Sequence, residues 1–243
     1  MTKTPVHSDA FLKRREELKA RLDPLDPALS SGDASGPQDR MRFFDAVYAL
    51  ADGDAAAVPW ADLAPKHELS QWLAENPVNR SKTAPTAIDV AAGLGDNAVA
   101  IAEAGYRTTA FDLSQGAIDW ASRRFADSSV SWQVADLLDP PAEWQGAFDL
   151  VHECYTLQAV PPSMLEAVTR GVAALVAPGG TLLVYTRIRA EGQDADGPPW
   201  PLLEREAMRF ETLGFTLVSR KAFAIERPGR SIPHWFCVWK REA

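Results

Sequence analysis

A chain of 243 residues, 46% of them hydrophobic, suits one α/β domain with a modest extension and buries enough surface to fold without a metal or disulfide staple. The formal net charge of −8 argues against a nucleic-acid partner, whose phosphates require clustered Lys and Arg. The two cysteines, Cys154 and Cys237, form neither a metal spacing nor a disulfide framework; the N-terminus lacks a signal-peptide profile, and no apolar run spans a bilayer, so the expected place is the cytoplasm, away from membranes.

In chain order, residues 9–22 are predicted to form a helix with Ser8 as N-cap and Phe11, Leu18 and Leu22 on one stripe. Residues 30–37, small and polar, predict a loop. A helix over 38–51 places Phe43, Val47 and Leu50 on one face. Pro59 and Pro65 bar a helix around Trp60, and another helix follows at 66–75. Together, residues 1–75 form a helical extension or cap on a domain covering 76–243. From residue 86 apolar runs alternate with helical segments, the pattern of a parallel sheet with crossover helices. Strands are expected at 86–91, 107–111, 130–134, 148–152, 180–187, 215–224 and 234–240, with helices near 96–104, 115–125, 163–176 and 202–213. Glu226 to Arg230 is too short for a helix, so the last strand returns antiparallel.

Five segments carry chemistry. In Ala87-Ile88-Asp89-Val90-Ala91-Ala92-Gly93-Leu94-Gly95 an apolar strand enters a turn of small residues and a helix begins. Ala91, Gly93 and Gly95 allow a ligand close to the backbone, at the carboxyl edge where open α/β sheets bind ligands. The same spacing also fits a nicotinamide-binding turn, or a tight turn with no ligand. Asp112, after the second strand, can accept bonds from both ribose hydroxyls; alone it could equally cap the helix starting near Gln115. Asp136, after the third strand, can accept from the exocyclic amine of adenine or stand as a solvent-facing turn acid. Phe148 to Glu153 is a strand ending in polar groups at the same edge. Ala177-Pro178-Gly179-Gly180 stops a helix and leads into a buried strand.

In this order the five segments resemble the class I S-adenosylmethionine-dependent methyltransferases over residues 86–243. That family's loop pattern Asp-x-Gly-x-Gly-x-Gly is matched at Asp89, Ala91, Gly93 and Gly95, with Ala91 the departure. The resemblance implies a Rossmann-like seven-stranded sheet, mostly parallel with an antiparallel last strand, plus the N-terminal helices. It also implies S-adenosylmethionine as cofactor, with Asp89 near the methionine amino group. Ala91, Gly93 and Gly95 would line the methionine and ribose. Asp112 would take the ribose hydroxyls, Leu113 would pack on adenine, and Asp136 and Leu137 would hold the adenine edge. Glu153 and Cys154 would face the methionine part and the acceptor. Pro59-Trp60-Ala61-Asp62-Leu63 is similar to the segment before the glycine loop of thiopurine-type methyltransferases, which would bring Trp60 to the cofactor; the other reading of Trp60 is a core plug.

The cofactor carries its own leaving group, so holding acceptor and methyl in line supplies up to roughly 7–11 kcal/mol. A phenolic acceptor gains more from a base than a thiol, because ionising it at pH 7 costs about 4 rather than about 2 kcal/mol. Candidates for that base are His152, Glu153 and Tyr155. Glu153 is expected in a wet, cofactor-facing position, while His152 is read rather as packed at the strand end. Residues 152–156 are not a zinc helix, since Thr156 stands where a second His would be, and no acidic cluster suits magnesium, so no metal is expected. The acceptor pocket is expected from Phe43, Phe44, Tyr48 and Trp60 and from a lid loop over 189–201 containing Trp200. Its aromatic walls point to a planar or apolar small molecule. Two other classes compete: a nicotinamide oxidoreductase, disfavoured by Asp136 and the closing hairpin, and a catalytically silent cofactor-binding or scaffold protein.

Overall fold

Branched and apolar residues in short runs build the strands here, and the intervening helices cover both sheet faces. The computed structural model describes residues 9–22, 24, 37–79, 83–194, 197–227 and 229–243. Ser8 and residues 30–36 lie outside them, so the cap and most of the loop expected there do too. The N-terminal part holds α1 (Asp9–Leu22), α2 (Pro37–Ala51) and α3 (His67–Glu75). The sheet domain follows as β1 (Thr86–Val90), α4 (Asp96–Glu103), β2 (Arg107–Asp112), α5 (Gln115–Arg124), β3 (Ser131–Val134) and β4 (Phe148–Cys154). It closes with α6 (Pro162–Leu175), β5 (Val176–Arg187), the short α7 (Glu204–Ala207), β6 (Phe215–Arg227) and β7 (Arg230–Arg241).

The strands form one sheet in the order β3-β2-β1-β4-β5-β7-β6. β1 to β5 pair in parallel, and β7 runs antiparallel to both β5 and β6. Strand order reverses at β1, so the β1 and β4 carboxyl ends flank the crevice where such sheets bind ligands. On one face α6 buries Leu165, Val168, Val172 and Leu175 against Ile88, Val90, Val151, Val184 and Trp239. Each such aliphatic side chain contributes about 1.5–3 kcal/mol when fully buried. On the other face Leu69, Leu73 and Ile101 pack on Ala87, Leu150, Leu183 and Phe236.

Several expected boundaries shift. β5 begins at Val176, before the Pro-Gly-Gly turn, with an irregular register between Phe148 and Leu150. The closing hairpin is tighter than expected, because Arg227 pairs with Arg230. The expected 202–213 helix divides into α7 and a 3-10 turn at Arg209–Leu213. Leu50 is 44% exposed rather than on the buried face of α2, where Phe43, Val47 and Ala51 form the i, i+4, i+8 stripe with Tyr48 beside it. α1 and α2 share a cluster that includes Leu18, Leu22, Val47 and Val58 and reaches Leu94 in the glycine turn and Ala117 on α5. That contact sets the N-terminal helices against the β1 and β2 ends of the sheet.

The expected lid over 189–201 is tethered at its base. Trp200 is buried, and its N–H donates to Gln158 O at 2.7 Å. Arg189 donates to the carbonyls of Pro201 and Gln193 at 2.9 and 2.7 Å. Residues 195 and 196 lie outside the described set.

Candidate functional site

β1 ends in a turn where Ala91, Gly93 and Gly95 all have positive φ, at 50°, 54° and 87°. Only glycine takes such angles without strain, which makes Ala91 the tightest of the three. Gly93 faces an aromatic cradle. A Cβ there would meet Tyr48 Oη at 3.4 Å and Trp60 Cδ1 at 3.6 Å. Trp60 Nε1 donates to Tyr48 Oη at 2.8 Å, which joins α2 to the Pro59 segment directly over the turn. Trp60 thus lies beside the turn and is half-buried against the N-terminal cluster.

Gly95 corrects an expectation. Its missing Cβ points into the protein, 2.5 Å from the Trp132 ring and 3.2 Å from Ala121, so its smallness serves packing rather than ligand approach. The following helix turn is pinned by Arg124, whose guanidinium binds both carboxylate oxygens of Asp96, at 2.8 and 2.9 Å, and Leu94 O at 2.6 Å. A bidentate Arg–carboxylate pair of this kind fixes geometry as well as charge.

Asp112 supports the turn from behind. Its Oδ2 accepts the Gly93 N–H and its Oδ1 the Ser114 N–H, both at 3.0 Å. The helix cap is Ser114, whose Oγ accepts from Ala117 N, so Asp112 is not the cap of α5. Burial pushes the Asp112 carboxyl up to about 6, against the N–H groups of Ser114, Gly93 and Leu113 that favour its charged form. Leu113 is half-buried beside it. Asp136 is exposed, and its Oδ1 accepts from Leu138 N at 2.8 Å in a local turn. The Leu137 side chain is not at the adenine edge. It is buried in the α6 core against Gly171, which leaves its backbone for any contact there.

At the end of β4 successive side chains diverge, as strand geometry requires. His152 lies opposite Asp89 in the sheet, and its Nδ1 is 2.7 Å from Asp89 Oδ1. Both are buried. Glu153 points to the α6 side, between Val90 and Val184. It is 0% exposed, which overturns the expected wet position. Its Oε1 accepts the N–H groups of Thr156 and Leu157 at 2.6 and 3.1 Å, so it holds the turn that follows. Burial pushes its carboxyl up to about 8 despite those bonds. Cys154 returns to the Asp89 face, where burial raises its thiol further than the nearby Lys66 lowers it. Tyr155 is half-buried, with a φ of 69°.

Polar atoms left buried without a partner gather here. Among the described residues they include Asp89 Oδ2, His152 Nε2, Glu153 Oε2, Thr156 Oγ1 and Arg187 Nε, all at the carboxyl ends of β1, β4 and β5; Arg15 Nε and Trp239 Nε1 lie elsewhere. Buried polar groups are ordinarily satisfied, so such a concentration marks a place where a ligand's groups would be matched. No group of three His, Cys, Asp or Glu among the described residues is placed to hold a metal ion, and no helix there is long and apolar enough to cross a membrane.

Sequence reasoning missed Lys66, Arg124, Arg187 and His234. Each is brought to the site from a distant segment, and none stands in a local motif. An open cavity of about 590 Å³ lies between α2 and α5, lined by Asp45, Tyr48, Asp119, Trp120 and Arg123. It shares Tyr48 with the cradle, but its walls, a mix of charged and apolar residues, include none of the residues of the five segments.

The seven-stranded sheet, its closing antiparallel strand and the glycine turn define a Rossmann-like methyltransferase fold. The 1,6-didemethyltoxoflavin-N1-methyltransferase of Burkholderia thailandensis shares it, with a TM-score of 0.64, 18% identity and coverage of 86% of this chain and 92% of that one. The magnesium protoporphyrin IX methyltransferase of Synechocystis PCC 6803 superposes with a TM-score of 0.59 at 13% identity, covering 96% and 97%. Residues 87–180 match the methyltransferase domain family, so over that span the chain carries a methyltransferase domain. Among curated relatives, the ubiquinone biosynthesis O-methyltransferase of Xanthomonas campestris pv. campestris is 36% identical over 101 residues, 41% of this chain and 41% of that protein. The demethylmenaquinone methyltransferase of Clavibacter sepedonicus is 30% identical over 155 residues, 61% of this chain. The chain therefore spans 41% and 58% of the lengths of these two relatives.

Proposed function

We propose that this protein transfers the methyl group of S-adenosylmethionine to an oxygen, nitrogen or sulfur atom of a small molecule. The observation that carries the reading is the cradle at Gly93, where the aromatic side chains of Tyr48 and Trp60 face a Cβ-free turn whose N–H is held by Asp112. The residues fit the cofactor. Asp89 Oδ2 is a buried acceptor lacking a donor, suited to an ammonium group. Trp60, half-buried beside the turn, presents aromatic surface suited to a sulfonium. Relatives that share residues of this region act, by their names, on small molecules.

S-Adenosylmethionine would supply an activated methyl group; the chain's part is to bind, orient and exclude water. In this reading residues 1–75 form a cap over the domain of residues 76–243. Asp89, Ala91 and Gly93 hold the methionine and ribose side, with Cys154 near the methionine. Asp112 and Leu113 take the ribose and one adenine face, and Asp136 with the Leu137 backbone takes the adenine edge. His152 orients Asp89, and Glu153 holds the turn after β4. Tyr155 is left as the polar group on the acceptor side.

The test is calorimetric titration with S-adenosylmethionine, S-adenosylhomocysteine and NADH in parallel. Binding of both adenosyl compounds and not NADH is expected; no binding of either sinks the reading. Transfer of radiolabelled methyl into a small-molecule extract then separates an enzyme from a silent binding protein.

A further inference from the structure

Tyr155 stands in a strained left-handed conformation directly after β4, and such strain persists where the surroundings enforce it. Its hydroxyl lies 2.9 Å from His234 Nε2, while His234 Nδ1 lies 2.8 Å from Ile232 O. The carbonyl can only accept, so Nδ1 carries the proton, Nε2 is the acceptor, and the tyrosine hydroxyl is the donor. The ring is thereby locked in place. Two cations approach it, with Lys66 Nζ at 4.4 Å and the Arg187 guanidinium at 5.6 Å from its centroid.

The two cations differ in their partners. Lys66 is in contact with the Asp62 carboxylate. Arg187 has no carboxylate within ion-pair distance among the described residues, and its Nε is buried without a hydrogen-bond acceptor. It sits on β5 opposite His234 on β7, on the sheet face that also carries Asp89, His152 and Cys154. Around it the walls are rings: Tyr155, Tyr185, and Phe223 stacked on His234 at 5.5 Å and 21°. A chain of net charge −8 thus keeps a half-buried guanidinium, with no carboxylate partner among the described residues, beside these rings at the carboxyl edge of the sheet.

We propose that this ring-lined position is the acceptor subsite and that the acceptor is an aromatic acid, its ring held beside Tyr155 and its carboxylate taken by the Arg187 fork. The proposal rests on the methyltransferase reading above. The planar guanidinium matches a carboxylate with two parallel bonds, which a lysine cannot do. A neutral analogue would leave the buried Arg187 donor unmatched, so the site discriminates by charge as well as shape.

The experiment uses the full chain loaded with S-adenosylhomocysteine and titrated calorimetrically with benzoate, salicylate, cinnamate and indole-3-acetate, each against its own primary amide. At least one acid is expected to bind about 10–100-fold tighter than its amide, the size of a lost charge-assisted hydrogen bond. Arg187→Gln is expected to erase that ratio and Arg187→Lys to reduce it. The proposal is overturned if no acid outbinds its amide in the unsubstituted protein, or if the full ratio survives in Arg187→Lys or Arg187→Gln. The preceding S-adenosylhomocysteine titration reports separately on the cofactor reading. Should it fail, the acid and amide comparison on the unloaded chain still decides the subsite.

Discussion

Asp89 and His152 face each other across β1 and β4, with 2.7 Å between Oδ1 and Nδ1, and each keeps its second polar atom buried without a partner. The parallel register that pairs these two residues also places them at the carboxyl edge of the sheet, next to the glycine turn. Removing the imidazole would leave the Asp89 carboxylate buried with no donor at all. His152→Ala is therefore expected to lose about 3 kcal/mol or more by urea denaturation, from the unmatched carboxylate plus the cavity. Asp89→Asn keeps an acceptor for Nδ1–H and should cost less stability, while weakening S-adenosylhomocysteine binding. Equal stability losses in the two variants would show that the pair is not held by that bond.

Gly95 and Gly179 both have positive φ, but only Gly95 is enclosed. A methyl group at Gly179 meets nothing within 4 Å, so Gly179→Ala should cost about 1–2 kcal/mol of backbone strain. At Gly95 the same methyl group collides with Trp132, adding about 1–3 kcal/mol of overpacking. Denaturation midpoints of the two variants, compared at equal m-value, check the difference.

Glu153 and Asp112 both hold protons more tightly in the folded chain than in the unfolded one, because burial raises them to about 8 and about 6. Between the unfolded carboxylate range and those values the folded state binds the extra protons, so stability falls as pH rises through about 4.5 to 8. The Glu153 share is up to about 5 kcal/mol at 1.36 kcal/mol per unit. Melting temperature should be higher near pH 5.5 than near pH 8. Glu153→Gln, which can still accept from Thr156 and Leu157, should flatten the profile and melt higher at pH 8. A profile unchanged by that substitution would remove Glu153 as its source.

Asp112→Ala removes the acceptor of the Gly93 N–H and the proposed ribose contact together. S-Adenosylhomocysteine affinity is expected to fall by at least about 1–2 kcal/mol. Calorimetry showing wild-type affinity would place Asp112 outside the site.

The order of elements, the antiparallel closing strand and the turn at Gly93 were legible in the chain because each follows from local spacing: apolar runs for strands, small residues for the turn, a short turn-forming link for the hairpin. Asp112 was legible as a candidate for the same reason, although only the structure showed that it holds the Gly93 N–H and that Ser114, not Asp112, caps α5. Gly95 looked like a ligand contact because spacing alone cannot distinguish a glycine that admits a ligand from one that admits Trp132, which lies on another strand.

The strand-turn-helix rhythm and the class of fold could be read from the chain alone, since these depend on residues a few positions apart. Tertiary structure alone decided which way each polar group faces. The β-strand alternation sends His152 to Asp89 and Glu153 into the α6 core, and strand order brings Arg187 and His234 around Tyr155 across dozens of residues. Those juxtapositions arise from sheet register and helix packing, which no local pattern encodes.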